Sequence, residues 1–195
     1  MSRHLLPDPS DPIRHPIVRT PPHGGLVDAQ PIVSGTGQTG YNVRIVTPGQ
    51  EDFLSAEREV TSSGFQCVFS QPLKPGLTKY QILQWKMYPA SHRRTPEMHI
   101  YYLPAPVIAS PSAGQSIGVK PTVSGGSGAP GATVDIVQAG SGAIIYGTAT
   151  VASDGRWSSL LTTALPTGTF PFTCRQHLGG HYGDWSATVT VTVSG

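Results

Sequence analysis

The sequence predicts an all-β chain folded as two tandem Greek-key sandwiches, and three observations carry that reading. The first is repetition. Residues 31–35 read PIVSG and residues 121–125 read PTVSG, at an offset of 90. The correspondence continues through Gly40 and Gly131, Val43 and Val134, Gly64 and Gly155, Leu73 and Leu165, Gly76 and Gly168, Tyr80 and Phe172, and Gln84 and Gln176. The offset drifts only from 90 to 92, a change that surface turns absorb, so a whole unit is repeated. The second is punctuation: 23 glycines and 19 prolines separate short apolar runs instead of forming tracts, which marks turns. The third is period. The runs alternate apolar and polar residues, and none shows the 3.6-residue pattern of an amphipathic helix. A chain of 195 residues gives each copy a length near the lower size at which a sandwich buries a core unaided.

The second copy gives the cleaner series of elements. PVIAS at 106–110 opens it, with a turn at Ala113–Gly114. VKPTVS at 119–124 follows, where Pro121 argues for an edge or a bulge because it cannot donate to a ladder. In ATVDIVQ at 132–138, Val134, Ile136 and Gln138 share one face and Thr133, Asp135 and Val137 the other, so packing on one side is expected. IIYGTATV at 144–151 leads through Asp154–Gly155, a strong hairpin signal, into RWSSLLTT at 156–163. An LPTG turn then precedes TFPFTCRQHL at 169–178. The closing WSATVTVTVSG is β-branched at almost every position, which favours a strand over a helix.

The first copy follows the same plan with more aromatic and charged residues, its strands expected at 16–19, 30–34, 41–47, 53–61, 64–70, 77–88 and 97–103. LSAEREV has helical propensity, but its counterpart GTATV does not, so the repeat argues for a strand there. The expected organisation is an extended Pro-rich arm at 1–15, a first domain at 16–104 and a second at 105–195, joined by LPAP at 103–106.

Composition narrows the function. Residues 1–104 carry 10 Lys and Arg against 8 Asp and Glu, and residues 105–195 carry 3 against 3. That balance lacks the clustered basic stripe of a nucleic-acid binder. No apolar run reaches membrane-span length, and MSRHLLPDPSDPIRHP lacks the apolar core of a secretory signal. Cys67 and Cys174 fall at non-equivalent places, one per copy, and read as free buried thiols.

The string PTVSGGSGAPGATVDI, the DG-W-S and LPTG turns, the R-Q strand and the closing D-W-S resemble the bacterial immunoglobulin-like repeats. Those repeats occur in bacterial surface and secreted proteins and in phage structural proteins. Gly125, Pro130, Gly131, Asp154, Gly155, Trp157, Leu165, Gly168, Arg175, Gln176 and Trp185 carry the likeness in the second copy. The first copy departs from it: Thr39 stands for Pro130, Ser63 for Asp154, and the D-W-S is absent. The resemblance implies two tandem immunoglobulin-like Greek-key sandwiches with a short Pro-rich linker and a non-catalytic role as spacer, adhesin module or assembly subunit. It implies no ligand. The setting expected from it is extracellular, on a cell surface or on a virion.

Catalysis finds no support in the sequence. No G-x-S-x-G elbow precedes a helix, and the few acidic residues fall mostly in turns, so no enzyme is expected. His177, His181 and Asp184 have a spacing suited to a helix, but HLGGHYGD cannot be one, so solvated loop histidines are the plainer reading and neither metal nor cofactor is expected. Recognition residues concentrate instead in the first domain. Trp85, Lys86, Tyr88, His92, Arg93, Arg94 and Tyr101 place aromatic faces among cations, which suits a partner protein or a glycan. The alternative is that Tyr80, Ile82 and Leu83 fill the core while Trp85 and Tyr88 flank an ordinary loop. Pairing with its own copies is a further expectation, through residues 186–194 if that strand lies at an edge. The functions expected are therefore a protein-interaction subunit, a carbohydrate-binding or adhesion module, or an accessory of a secreted effector.

Overall fold

The computed structural model describes residues 13–50, 52–88 and 90–195. Their regular elements are all strands. In the first copy these are β1 (Ile17–Thr20), β2 (Gly25–Leu26), β3 (Ile32–Thr36), β4 (Asn42–Val46), β5 (Arg58–Glu59), β6 (Phe65–Val68), β7 (Gly76–Lys86), β8 (Ser91–Arg94) and β9 (Met98–Tyr102). The second copy has β10 (Val107–Ser110), β11 (Ser116–Ile117), β12 (Thr122–Gly126), β13 (Thr133–Gln138), β14 (Ile145–Thr150), β15 (Trp157–Leu160), β16 (Gly168–Leu178), β17 (His181–Tyr182) and β18 (Val189–Val193). Among the described residues no helix is long and apolar enough to cross a membrane.

Each copy is a sandwich of a three-stranded and a six-stranded sheet. The orders are β1-β3-β6 and β2-β9-β7-β4-β5 with β8 on β7, then β10-β12-β15 and β11-β18-β16-β13-β14 with β17 on β16. The two series match strand for strand. They also match in register: Val18 faces Gly35 and Ile108 faces Gly125, each just before a bulge. By contacts the chain divides into two compact units, one holding the chain up to Gly25, Gln30–Leu73 and Thr78–Ile100, the other Leu26–Ala29, Lys74–Leu77 and Tyr101–Gly195. The arm expected at 1–15 lies outside the described residues as far as position 12.

The shared residues have shared jobs. A Cβ added at Gly35 would strike the Ile17 carbonyl and the Phe65 ring, and one at Gly125 would strike the Val107 carbonyl and the Trp157 ring. The PxVSG glycine is therefore the point where a neighbouring strand and a core ring close on the backbone. Gln84 and Gln176 are fully buried. Their Oε1 atoms accept the Gln38 and Ala129 amides at 2.8 and 2.7 Å, and their Nε2 groups donate to the carbonyls of Arg14 and Pro104. The strand β8–β9 is broken at Thr95, and β17–β18 at Ser186. At each break a buried hydroxyl accepts a neighbouring strand amide, Ile82 N and Cys174 N respectively, both at 3.0 Å.

Several expectations are corrected. Residues 53–61 form only the two-residue β5 and three isolated bridges, Val46–Phe53, Ser55–Phe69 and Thr61–Gly64. The segment leaves the β4 edge for the β6 edge, since Leu54 donates to Ile45 and accepts from Ser70, both at 2.8 Å. Asp154–Gly155 is a turn, with Gly155 at φ 82°, yet it joins β14 and β15 of different sheets and so makes no hairpin. Pro121 sits just before β12, which is central in its sheet and not an edge. The final strand is no edge either: β11 runs parallel to β18 and covers its outer side. Pairing of copies through residues 186–194 loses its basis. On β13 the outer face is not open, because Asp135 and Val137 are buried as well as Val134 and Ile136.

The cores are apolar and contain both cysteines as free, buried thiols. Burial pushes the Cys174 thiol up to about 11 and raises Cys67 in the same direction, which suppresses thiolate chemistry. Trp157 is 3% exposed and its Nε1 donates to the Gly126 carbonyl at 3.2 Å. Trp157→Ala should lower the stability of its domain by about 3–5 kcal/mol, read from the denaturation midpoint. Tyr80 is fully buried, its hydroxyl has no hydrogen-bond partner among the described residues, and burial pushes its phenol up to about 12. Because the folded value lies above the ordinary value of 10, this contribution is complete below pH 10 and is lost as pH rises towards 12. Tyr80→Phe should therefore raise stability by about 1 kcal/mol and flatten the alkaline limb of a stability–pH curve.

Candidate functional site

Alternation along β7 sorts its side chains. Tyr80, Ile82 and Gln84 are buried, whereas Gln81, Leu83 and Trp85 lie on the outer face. On β4 the same rule buries Val43 and Ile45 and places Asn42 and Arg44 outside. Register then brings partners together: Leu83 faces Arg94, Trp85 faces His92, and on the other side Trp85 faces Asn42. Trp85, His92 and Arg94 thus share one outward face with Arg44.

Arg44 is the centre of that face. Its guanidinium lies 4.1 Å from the Phe53 ring centroid and 5.3 Å from that of Trp85, and Nη2 meets Glu57 Oε2 at 2.8 Å. Two rings are held against one cation, with Phe53 55% exposed. Arg94 Nη1 donates to the Gln50 carbonyl at 2.7 Å, which fixes the rim of the face to the turn after β4. Such a surface offers flat apolar area with oriented charge beside it.

The remaining predicted residues fall elsewhere. The stretch carrying His92, Arg93 and Arg94 is strand β8 of a hairpin and not a loop. Arg93 pairs in register with the inward-facing Gln84, and its Nη1 folds back to the His92 carbonyl at 3.0 Å. Lys86 Nζ sits 5.4 Å from the ring centroid of Tyr41, at the margin of the core. Tyr88 is 82% exposed in the turn. Tyr101 belongs to the second unit, its ring 5.1 Å from that of His181. Sequence reasoning missed Arg44 and Phe53. Arg44 was accessible through the alternation of β4, but nothing in the sequence brings Phe53 to it.

The second domain has its own outer cluster on the matching strands. Arg175 lies 4.2 Å from the Tyr182 ring and 4.4 Å from the Trp185 ring. His177 Nε2 is 3.5 Å from Asp135 Oδ2, with its ring 5.1 Å from that of Tyr182. HLGGHY is a tight hairpin in which Gly179 and Gly180 supply the two positive φ values, 59° and 83°. His177 and His181 therefore have different neighbours. Among the described residues no group of three or more His, Cys, Asp or Glu is placed to hold a metal ion.

No family model matches the chain, and no curated protein matches it. Solved structures similar to it include the BSP domain of a biofilm-associated protein, at 21% identity and a TM-score of 0.37 over 93% of this chain. The chain spans 30% of the length of that structure. The human OSCAR ligand-binding domain is similar at 15% identity and a TM-score of 0.37, covering 91% of this chain and 98% of that one. The titin A168–A169 fragment gives 9% identity and a TM-score of 0.42, covering 89% and 95%.

Arg44→Ala should cost about 1 kcal/mol, the scale of a partly exposed cation–π stack with an ion pair. It should also shift the Trp85 emission as the ring gains water, and a difference spectrum against the native chain measures this.

Proposed function

We propose that the chain is a non-catalytic protein-interaction subunit of a bacterial or phage assembly, such as a virion decoration or a surface or injection apparatus. The first domain is the binding module and the second serves as scaffold, with domains at 16–104 and 105–195. The observation that carries this is the Phe53–Arg44–Trp85 platform, bordered by His92 and Arg94, on a sheet whose core residues leave it little freedom. Aromatic rings and arginines on a rigid surface are the residues that dominate protein–protein binding, each hot spot contributing about 2 kcal/mol or more. The bacterial or phage setting, outside the cell or on the virion, follows from the repeat resemblance in the second copy.

A carbohydrate-binding or adhesion role is the second reading, favoured by the exposed rings of Phe53 and Tyr88. Both readings need the same surface but different ligands. The double variant Phe53→Ala/Trp85→Ala should keep its melting temperature within a few degrees while losing a native protein partner more than tenfold in quantitative pull-down. Equal recovery of the partner by the variant would remove the platform as the site. Binding to an arrayed glycan that disappears in the same variant would move the function to carbohydrate recognition.

A further inference from the structure

The two copies treat one location in opposite ways. Val46 pairs with Gln81 in the first copy, and Val137 pairs with Thr173 at the same place in the second. In the first copy this ground is filled by the chain's own side chains. Gln81 Oε1 accepts the Gly49 amide at 3.2 Å, and its Nε2 donates to the Thr95 carbonyl at 2.9 Å. Arg94 reaches across to the Gln50 carbonyl at 2.7 Å. Strand edge and turn are tied together, and the ground between them is bridged.

In the second copy the side-chain tie is missing among the described residues. Thr173 is short, and its hydroxyl is used within the sheet, donating to the Ser186 carbonyl at 2.9 Å. The turn at 138–142 is held to β16 by backbone instead, Ala139 N donating to the Pro171 carbonyl at 3.1 Å. A groove of about 400 Å³ opens between them, with Val137 and Trp185 beside Gln138, Gly140, Ser141 and Thr188. Val137 is 3% exposed and forms an apolar floor, whereas Trp185 is 44% exposed. Arg175 stacks on the indole but is not among the groove residues, so it steadies the ring from outside the groove.

None of the residues lining this groove is charged. A charged ligand would find no counter-ion among the lining side chains, and a purely apolar one would leave the amide and hydroxyl rim unpaired. A ring with one apolar face and equatorial hydroxyls satisfies both halves of the surface: its C–H face lies on the indole and its hydroxyls meet the rim. The volume falls in the range of small-ligand sites, about 300–1,000 Å³. We infer that this groove of the second domain binds an uncharged oligosaccharide, with Trp185 as the stacking platform and Arg175 as the residue that positions it. The site is separate from the protein-binding platform of the first domain and does not depend on it.

The test uses the full chain, titrated calorimetrically with neutral cello-, malto-, manno- and chito-oligosaccharides. At least one series should give saturable binding. Trp185→Ala should weaken it more than tenfold, and Thr188→Arg, at an exposed position on the rim, should block it even if the tryptophan variant proves unstable. Trp85→Ala should leave it unchanged, which separates this site from the first-domain platform. Lack of saturation with every series would overturn the inference. Binding that survives both second-domain variants, or that is lost with Trp85→Ala instead, would overturn it equally.

Discussion

Each sandwich is closed around one buried glutamine amide. Gln84 and Gln176 sit among apolar side chains with no exposed surface, where an unpaired amide would be costly. Each spends both halves of its side chain on backbone: one amide from the turn after the second long strand, one carbonyl from the segment entering the domain. Those two backbone groups have no ladder partner of their own at that point. The glutamine thus fixes the chain entry and the turn between β3 and β4, or between β12 and β13, to the same central strand. Everything that faces outward from that strand, including Trp85 and Arg175, inherits its position from this tie. Loss of the amide would leave two buried backbone groups unsatisfied, at about 1–3 kcal/mol each.

The same division explains how two copies can differ so much in surface. Inward positions on β4, β7, β13 and β16 answer one another: Val43 with Val134, Tyr80 with Phe172, Gln84 with Gln176. Outward positions do not. Arg44 corresponds to Asp135, Leu83 to Arg175 and Trp85 to His177. Strand alternation separates the two sets physically, so outward exchanges leave the core intact. The first copy places its cation on β4 between two rings. The second places its cation on β16 between two other rings. Both arrive at a guanidinium held by aromatic faces, through unrelated residues.

What could be read from the sequence follows the same line. The repeat, the succession of strands along the chain and the burial of both cysteines depend on local pattern and on spacing, and these are in the sequence itself. The glycines at 35 and 125 announce a close approach but not which strand approaches. The Asp154–Gly155 turn was legible as a turn and not as a change of sheet, because turn chemistry says nothing about where the next strand pairs. Phe53 was invisible as a site residue. Its segment bends from one sheet edge to the other through a single serine hydroxyl, and that path brings its ring to Arg44. Trp185 and Arg175 were seen as marks of the repeat. Their stacking depends on the break at Ser186, a tertiary feature.

The filled and open versions of one location bear on how such a repeat acquires binding. A groove between a strand end and its following turn needs a short side chain where the strand passes and an absence of bridging groups. In the first copy Gln81 supplies the length and an acceptor for the Gly49 amide, and Arg94 a donor to the Gln50 carbonyl, and together they close it. Thr173 supplies neither, because its hydroxyl is committed to the Ser186 carbonyl. Opening leaves the inward residues of the paired strands unchanged. It goes with an outward residue that is short and satisfied locally, and with a turn one residue longer, Val137 pairing with Ile145 where Val46 pairs with Phe53. A buried valine then becomes a floor, and an aromatic residue in the segment between β17 and β18 becomes a wall. The closed copy has used the same ground to hold Arg94 in place beside Trp85. One site is traded for the rim of another, and the scaffold beneath is indifferent to which is chosen.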